Sequence, residues 1–295
     1  MKKIFLLIFT LSSFTYAQNI GSGLSFLKLG VGAKSIAMGE AYTGISHDAS
    51  SLYYNPAAIS FIQQSEISLM HKEWISGTSV EYIGAISHTE NFSFGFSVNS
   101  TNISDIEIRT QPGPLTGTFG SHNLAISGAV SVPISSSFSF GITGKFLLEK
   151  IYVDDANGYA FDFGGFYQLN KNFSFGAAIA NIGTMNSLRS EKTILPTTLR
   201  FGASYNDVIT DNINFLVSTD ILKILEDKSA HFHFGSEFLY DNLLAARFGY
   251  QVGYEAKKFS TGIGILYSFL RFDYAYVPFT STLGNTHTFS LTFNL

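Results

Sequence analysis

Cysteine is absent from the 295 residues, so neither a disulfide framework nor a thiolate-ligated metal site is available to this chain. Proline is scarce at 6 residues, and charged side chains make up only 14%, against about a quarter in ordinary soluble domains. There is no excess of basic residues: Lys and Arg number 18 and Asp and Glu 22, for a net charge of −4. No basic patch is evident, which argues against nucleic acid as a partner. Beyond the first residues no apolar run approaches the roughly 20 positions that a membrane-spanning helix needs. What is present is 15% aromatic residues and 27 glycines. Low charge without long apolar runs describes a membrane protein whose apolar residues are dispersed by alternation.

The N-terminus sets the compartment. Lys2 and Lys3 precede an apolar run from Ile4 to Leu11 broken only by Thr10, and Thr15-Tyr16-Ala17 follows. That order is a secretory signal peptide over residues 1–17, cleaved after Ala17. Its apolar part is too short to span a bilayer.

From Glu66 onward the sequence alternates with period 2. Phe173, Phe175, Ala177 and Ile179 share one face, with Ser174, Gly176, Ala178 and Ala180 opposite. Phe138, Phe140, Ile142, Phe146 and Leu148 likewise oppose Ser139, Gly141, Thr143, Lys145 and Glu149, and Phe289, Leu291, Phe293 and Leu295 repeat the pattern at the end. Successive side chains of a strand point to opposite faces. A soluble sandwich would alternate too, but its outer face would be rich in Lys and Glu. Here the polar face is Ser, Gly, Thr and Asn, as in a barrel lumen. Strands are expected over 66–74, 79–88, 92–100, 122–132, 138–149, 159–168, 172–181, 198–206, 212–220, 231–239, 243–252, 259–267, 270–278 and 286–294. The fold class is all-β: a closed antiparallel transmembrane β-barrel of about 14 strands, with a short helical N-terminal plug.

The connections agree. Every second one is short (89–91, 133–137, 170–171, 206–211, 241–242 and 267–270), and those between are mostly longer, including 101–121, 182–197 and 221–230. Outer-membrane barrels have short periplasmic turns and long outer loops, which places both chain ends on the periplasmic side. Phe92-Ser93-Phe94-Gly95, Phe138-Ser139-Phe140-Gly141 and Phe173-Ser174-Phe175-Gly176 follow short turns with one phrase. Its aromatics are expected in the bilayer near the periplasmic interface, and its glycine on the lumen face, where a plug can pack closely.

Residues 18–65 do not alternate. Gly30–Gly44 is rich in Gly and Ala, and Asn55 can cap a helix that begins at Pro56. This segment is expected to be a hatch inside the lumen of a barrel spanning 66–295, because a barrel of about 14 strands is wider than side chains alone can fill. Gly32-Ala33-Lys34-Ser35-Ile36-Ala37-Met38-Gly39-Glu40-Ala41-Tyr42, and then Asp48-Ala49-Ser50-Ser51-Leu52-Tyr53-Tyr54-Asn55-Pro56-Ala57-Ala58-Ile59, resembles the N-terminal motif of the PorV/PorQ family. It is similar, more distantly, to the same region of FadL-type transporters of hydrophobic compounds, which share an Asn-Pro-Ala element. The resemblance implies a barrel with an N-terminal plug, seated in the outer membrane among its lipids. It also implies work in type IX secretion, with exported cargo or the surface-attachment machinery as protein partners. The hatch residues it singles out are Gly32, Met38, Gly39, Asp48, Asn55, Pro56 and Ala57. The alternative it carries is a FadL-like transporter of hydrophobic small molecules.

Gly30-Val31-Gly32-Ala33-Lys34-Ser35 imitates a phosphate loop, but Ala33 stands where a glycine must precede the lysine. His231, His233 and Glu237 share a strand face, yet a metal site needs further ligands from other strands, and a hydrogen-bonding role in the lumen is favoured. Ionisable residues of both signs face inward: Lys145, Glu149, Asp162, Arg200, Asp220, Glu237, Arg247, Arg271 and Asp273. The reading preferred for them is a polar network tying barrel to hatch, over a ligand-selective channel. No Gly-x-Ser-x-Gly elbow occurs, and neither a catalytic group, a cofactor nor a metal is expected.

Overall fold

The computed structural model describes residues 22–109, 113–189, 191–280 and 283–295, with 191–192 described as backbone only. Residues 1–17, expected to be a signal peptide, and residues 18–21 lie outside the described residues. Fourteen antiparallel strands close into one barrel. They are β1 (Glu66–Glu73), β2 (Thr78–His88), β3 (Ser93–Ile108), β4 (Gly117–Pro133), β5 (Phe138–Ile151), β6 (Asp154–Gln168) and β7 (Phe173–Met185), then β10 (Thr198–Thr210), β11 (Ile213–Ile224), β12 (Ala230–Tyr240), β13 (Leu244–Val252), β14 (Phe259–Tyr267), β15 (Leu270–Pro278) and β16 (Asn285–Asn294). Two-residue strands β8 (Ser187–Leu188) and β9 (Glu191–Lys192) pair separately in the connection after β7. Closure is made by β1 against β16, from Glu66 opposite Asn294 to Glu73 opposite His287. No strand edge is left unpaired towards lipid, where a free N–H or C=O has nothing to bond.

Every expected strand is present, and the alternation has the expected sense. Phe138, Phe140, Phe173 and Phe175 are exposed on the outside, while Ser139 is fully buried inside. The long-loop ends differ from expectation. Residues 101–121 were read as a loop, but β3 runs to Ile108 and β4 starts at Gly117. Ile106, Glu107 and Ile108 pair with Phe119, Thr118 and Gly117 beyond a register shift. A ladder that projects from the bilayer is wet on both faces, so no apolar–polar alternation marks it.

The plug runs through the lumen from one end to the other. Leu24, Phe26 and Leu27 pack at the long-loop end against Leu147, Met185 and Leu195, and Gly23 N donates to Ile194 O at 2.9 Å. Helix α1 (Ala33–Ala37) crosses the middle, and α2 (Ser51–Tyr54) and a 3-10 turn (Pro56–Phe61) close the short-turn end. Asn55 caps that turn, its side chain accepting from Ala57 N at 3.1 Å with Pro56 in the first position. The described chain therefore starts at the long-loop end and finishes at the other, where Leu295 N donates to Ser65 O. From Ser22 onward the plug thus runs lengthwise through the lumen, and the N-terminal end, expected like the C-terminal one on the periplasmic side, lies outside the described residues.

Candidate functional site

The repeated Phe-Ser-Phe-Gly phrase is where wall and plug meet. Two of its three serines bond plug carbonyls: Ser139 Oγ donates to Ala57 O at 2.7 Å and Ser174 Oγ to Gly44 O at 2.8 Å, while Ser93 Oγ bonds His88 Nδ1 of the wall. Its glycines leave the room that this approach needs. A Cβ at Gly141 would stand 2.5 Å from Ala57 N and from Pro56 C, and one at Gly176 or Gly95 would collide with Thr43 O or Leu52. The phrase thus writes the apolar girdle on one face of the strand and a plug seat on the other.

Four of the inward ionisable residues, Glu237, Arg247, Asp273 and Arg271, form a continuous buried chain with Lys34 and Asp48 of the plug. Lys34 Nζ bonds Glu237 Oε1 at 3.0 Å. Arg247 bridges Glu237 at 2.5 Å and Asp273 at 2.7 Å. Arg271 bridges Asp273 at 2.8 Å and Asp48 at 2.6 Å, and Tyr42 Oη donates to Asp48 at 2.9 Å. Formal charges alternate along the chain and cancel, which is the condition for burying ions. Desolvation pushes Asp48 up, but Arg271 overrides it and holds the carboxyl below its ordinary range. Separately, Asp220 accepts from Tyr42 N and Thr43 N at 3.1 and 2.9 Å. Lys145 pairs with Asp162 at 2.6 Å beside a bulge at Asn181, whose N–H donates to Asp162.

Not every sequence-assigned residue joins in. Glu149 is half-buried and forms no ion pair among the described residues. Arg200 lies over the rings of Tyr53 and Tyr54, at 5.6 and 5.2 Å. His231 stacks on Tyr254, His233 Nε2 bonds the Tyr254 hydroxyl at 3.0 Å, and Glu237 belongs to the charged chain. That face therefore does not gather a ligand set, and the described residues contain no group of three metal-binding side chains. Of the hatch motif, Gly32 (φ 83°) packs on Ser50, Gly39 (φ 64°) lies against the backbone of Gly249 and Phe234, and Met38 is buried. Lys34, in the phosphate-loop look-alike, is committed to Glu237.

Above the plug, at the long-loop end, opens a vestibule of about 830 Å³. Its floor holds Glu40, Lys72 and Arg200, the last two 4% exposed, and its walls include Trp74, Leu222, Tyr254 and Phe279. Arg200 Nη1 has no hydrogen-bond partner among the described residues. Lys257 bonds Glu40 at 2.8 Å and lies 4.7 Å over the Tyr254 ring. Burial would raise the Glu40 pKa, but Lys257, His233 and Lys72 together bring it down to about 2, so a carboxylate stands there at any physiological pH. Sequence reasoning missed Glu40, Lys72 and Lys257. Lys72 lies between His71 and Glu73 in the shortest wall strand, and charges on both faces hide its inward parity.

Comparison with known proteins agrees with this architecture. Among solved structures, the CymD monoaromatic hydrocarbon channel superposes with TM-score 0.66 at 12% identity, covering 93% of this chain and 99% of that one. The Pseudomonas putida toluene transporter TodX gives 0.63 at 13%, covering 90% and 98%. A Pseudomonas aeruginosa FadL homologue gives 0.51 at 11%, covering 88% and 97%. At such identities these likenesses establish a shared fold and nothing finer. No curated protein matches the chain in sequence. The family model for type IX secretion system protein PorV matches residues 13–229. That match takes in the plug and the wall as far as the loop after β11, and the chain belongs to the PorV family of outer-membrane β-barrels of type IX secretion.

Proposed function

We propose that this barrel works in type IX secretion as a sealed platform, which binds exported polypeptides at its long-loop end and helps to anchor them. The observation that carries the reading is the buried, charge-balanced chain from Lys34 to Asp48, which fixes the plug to β12, β13 and β15. A transporter gate needs two arrangements whose populations a ligand can shift, whereas a seal needs one. Opening this plug would strand several buried ions at once. Polypeptide binding falls to the open side, the vestibule and the loops around it, with the long-loop end outward and the short-turn end periplasmic. No enzymatic role is assigned.

Two measurements test this. In planar bilayers the intact protein stays silent and removal of residues 22–60 opens a passage. In cells, deleting the gene leaves exported proteins unattached at the surface. Export and attachment unaffected by the deletion would overturn the reading. A second reading rests on the vestibule, whose apolar walls and buried cations suit an amphiphilic small molecule, in a fold shared with hydrocarbon channels. Uptake of a hydrophobic ligand by the intact protein, lost on Pro56→Ala, would favour it.

A further inference from the structure

Two sets of buried ions in the lumen are neutral as sets: the chain from Lys34 to Asp48, and Lys145 with Asp162. The floor of the vestibule is not. There Lys72, Arg200 and Lys257 gather with Glu40, and Glu40 is already bonded by Lys257 at 2.8 Å. Asp220, two residues along from the partner of Arg200 on the neighbouring strand, is turned to the plug, where it accepts from Tyr42 N and Thr43 N. Even with Asp220 counted beside Glu40, one positive charge is left over. The rim carries both signs, on Lys28, Glu226, Asp227, Lys228 and Glu255, but these are half-buried or exposed and water screens them.

The surplus sits on groups whose donors are unused. Arg200 is held over the Tyr53 and Tyr54 rings, contacts that take no N–H, and its Nη1 has no hydrogen-bond partner among the described residues. Lys72 is equally buried, lines the same cavity and forms no ion pair among the described residues. Their strands, β10 and β1, stand seven apart in the ring of fourteen, so the two cations enter the lumen from opposite walls. Buried donors without acceptors are costly, and an uncompensated buried charge more so. Above them the walls are apolar, with Leu29, Ile36, Trp74, Leu222, Val277 and Phe279 around about 830 Å³, a volume that suits one small molecule or the end of a chain.

We propose that the vestibule floor is a carboxylate-binding site, where Arg200 and Lys72 take the carboxylate of a monoanion whose apolar body rests against Trp74, Leu222 and Phe279. One surplus charge calls for one negative charge; a phosphate monoester, with nearly two, overshoots it. A planar carboxylate also fits the guanidinium fork, and a bare inorganic anion would leave the apolar walls without a contact. Two sources supply this chemistry: the carboxyl terminus of an exported chain that enters end-first, and a free organic acid. The proposal rests on the vestibule as the binding side of the barrel and not on transport, because a ligand held above a latched plug does not cross.

Trp74 is the single tryptophan of the chain and lines the site, so its fluorescence reports occupancy in the full-length protein, purified in nonionic detergent. The probes are 4-phenylbutyrate and N-acetyl-leucyl-phenylalanine, each as the acid and as the uncharged amide. A saturable change in emission is expected with at least one acid, and its amide is expected to bind at least tenfold more weakly. Lys72→Met and Arg200→Gln, each shown to be folded by its heat-modifiable band, are expected to weaken the acid at least tenfold and to leave the amide within about twofold. Should Arg200→Gln fail to fold, Arg200→Lys keeps the charge without the fork and is expected to give an intermediate affinity for the acid. Tighter binding of the peptide acid identifies a chain terminus as the source, and tighter binding of phenylbutyrate a free acid. Acid and amide binding alike, acid binding that neither variant changes, or no saturable response to either acid would each overturn the proposal. The platform reading fails separately: a barrel that takes the acid, yet whose deletion leaves export and attachment intact, refutes the platform and keeps this site.

Discussion

Replacing Asp273 by Asn tests the charge chain at its centre. The carboxylate accepts from Arg247 Nη1 at 2.7 Å and from Arg271 Nε at 2.8 Å, all three groups being buried. Lys34, Arg247 and Arg271 balance Glu237, Asp273 and Asp48 in the native protein, so the substitution leaves one surplus positive charge out of reach of water. Removing one member of a buried pair costs about 3–5 kcal/mol. Because Arg271 also holds Asp48 of the plug, the loss falls on plug docking, where it shifts the undocked population by roughly a hundred- to several thousand-fold. The assay is current across planar bilayers, with protease sensitivity of residues 22–60 as a second reading. The native barrel is expected to be quiet, and Asp273→Asn to flicker open and expose the plug. Adding Arg247→Met restores neutrality, leaving Lys34 with Glu237 and Arg271 with Asp48, and is expected to recover most of the loss. A variant as silent and protease-resistant as the native protein, or a double variant worse than the single, would refute the assignment of this chain as the latch.

Gly141→Val is expected to unseat the plug, because its side chain would invade the backbone at Pro56 and Ala57; a smaller decrease in folded, heat-modifiable protein than for an outward Ile142→Val control would contradict it. Phe175→Arg places a charge in the girdle and is expected to cost roughly 2–4 kcal/mol, read as a lower unfolding midpoint in lipid vesicles. Deleting residues 286–295 removes the strand that closes onto β1, and the heat-modifiable band on a gel is expected to vanish. Asn55→Ala removes a side chain that donates to Thr43 O and Gly165 O and accepts from Ala57 N; a loss of about 1–3 kcal/mol is expected from the stranded carbonyls, checked by the same unfolding midpoint.

The wall was legible because period-2 alternation survives wherever one face meets lipid and the other meets the plug. It was illegible where both faces are wet, as along Ile103–Ile108. Parity alone identified Glu237, Arg247, Arg271 and Asp273 as inward. It could not pair them with Lys34 and Asp48, because those contacts join residues more than 200 positions apart and local pattern carries no such information. Glu149 shows the converse, since inward parity does not guarantee a partner. Lys34 stands in the sequence within a family motif and a failed nucleotide motif, neither of which gives it a partner, although a lysine among glycines and alanines is itself a sign that a counter-charge waits on the wall.

That wide spacing bears on how the molecule is put together. The plug precedes the wall in the chain and carries Lys34, Glu40 and Asp48, and the groups that bond them come late, Glu237 on β12, Lys257 between β13 and β14, and Arg271 on β15. Until then those charges are hydrated and keep a nascent segment soluble that would otherwise cling to itself or to chaperones. Contacts of such long range form slowly, so the plug cannot template the early strands through its ions. The chain of ions is complete only when β15, which carries Arg271 and Asp273, has joined the wall. Full docking of the plug and closure of the ring by β15 and β16 are thus expected to coincide, and a chain that lacks its last hairpin is expected to lack both wall and seal.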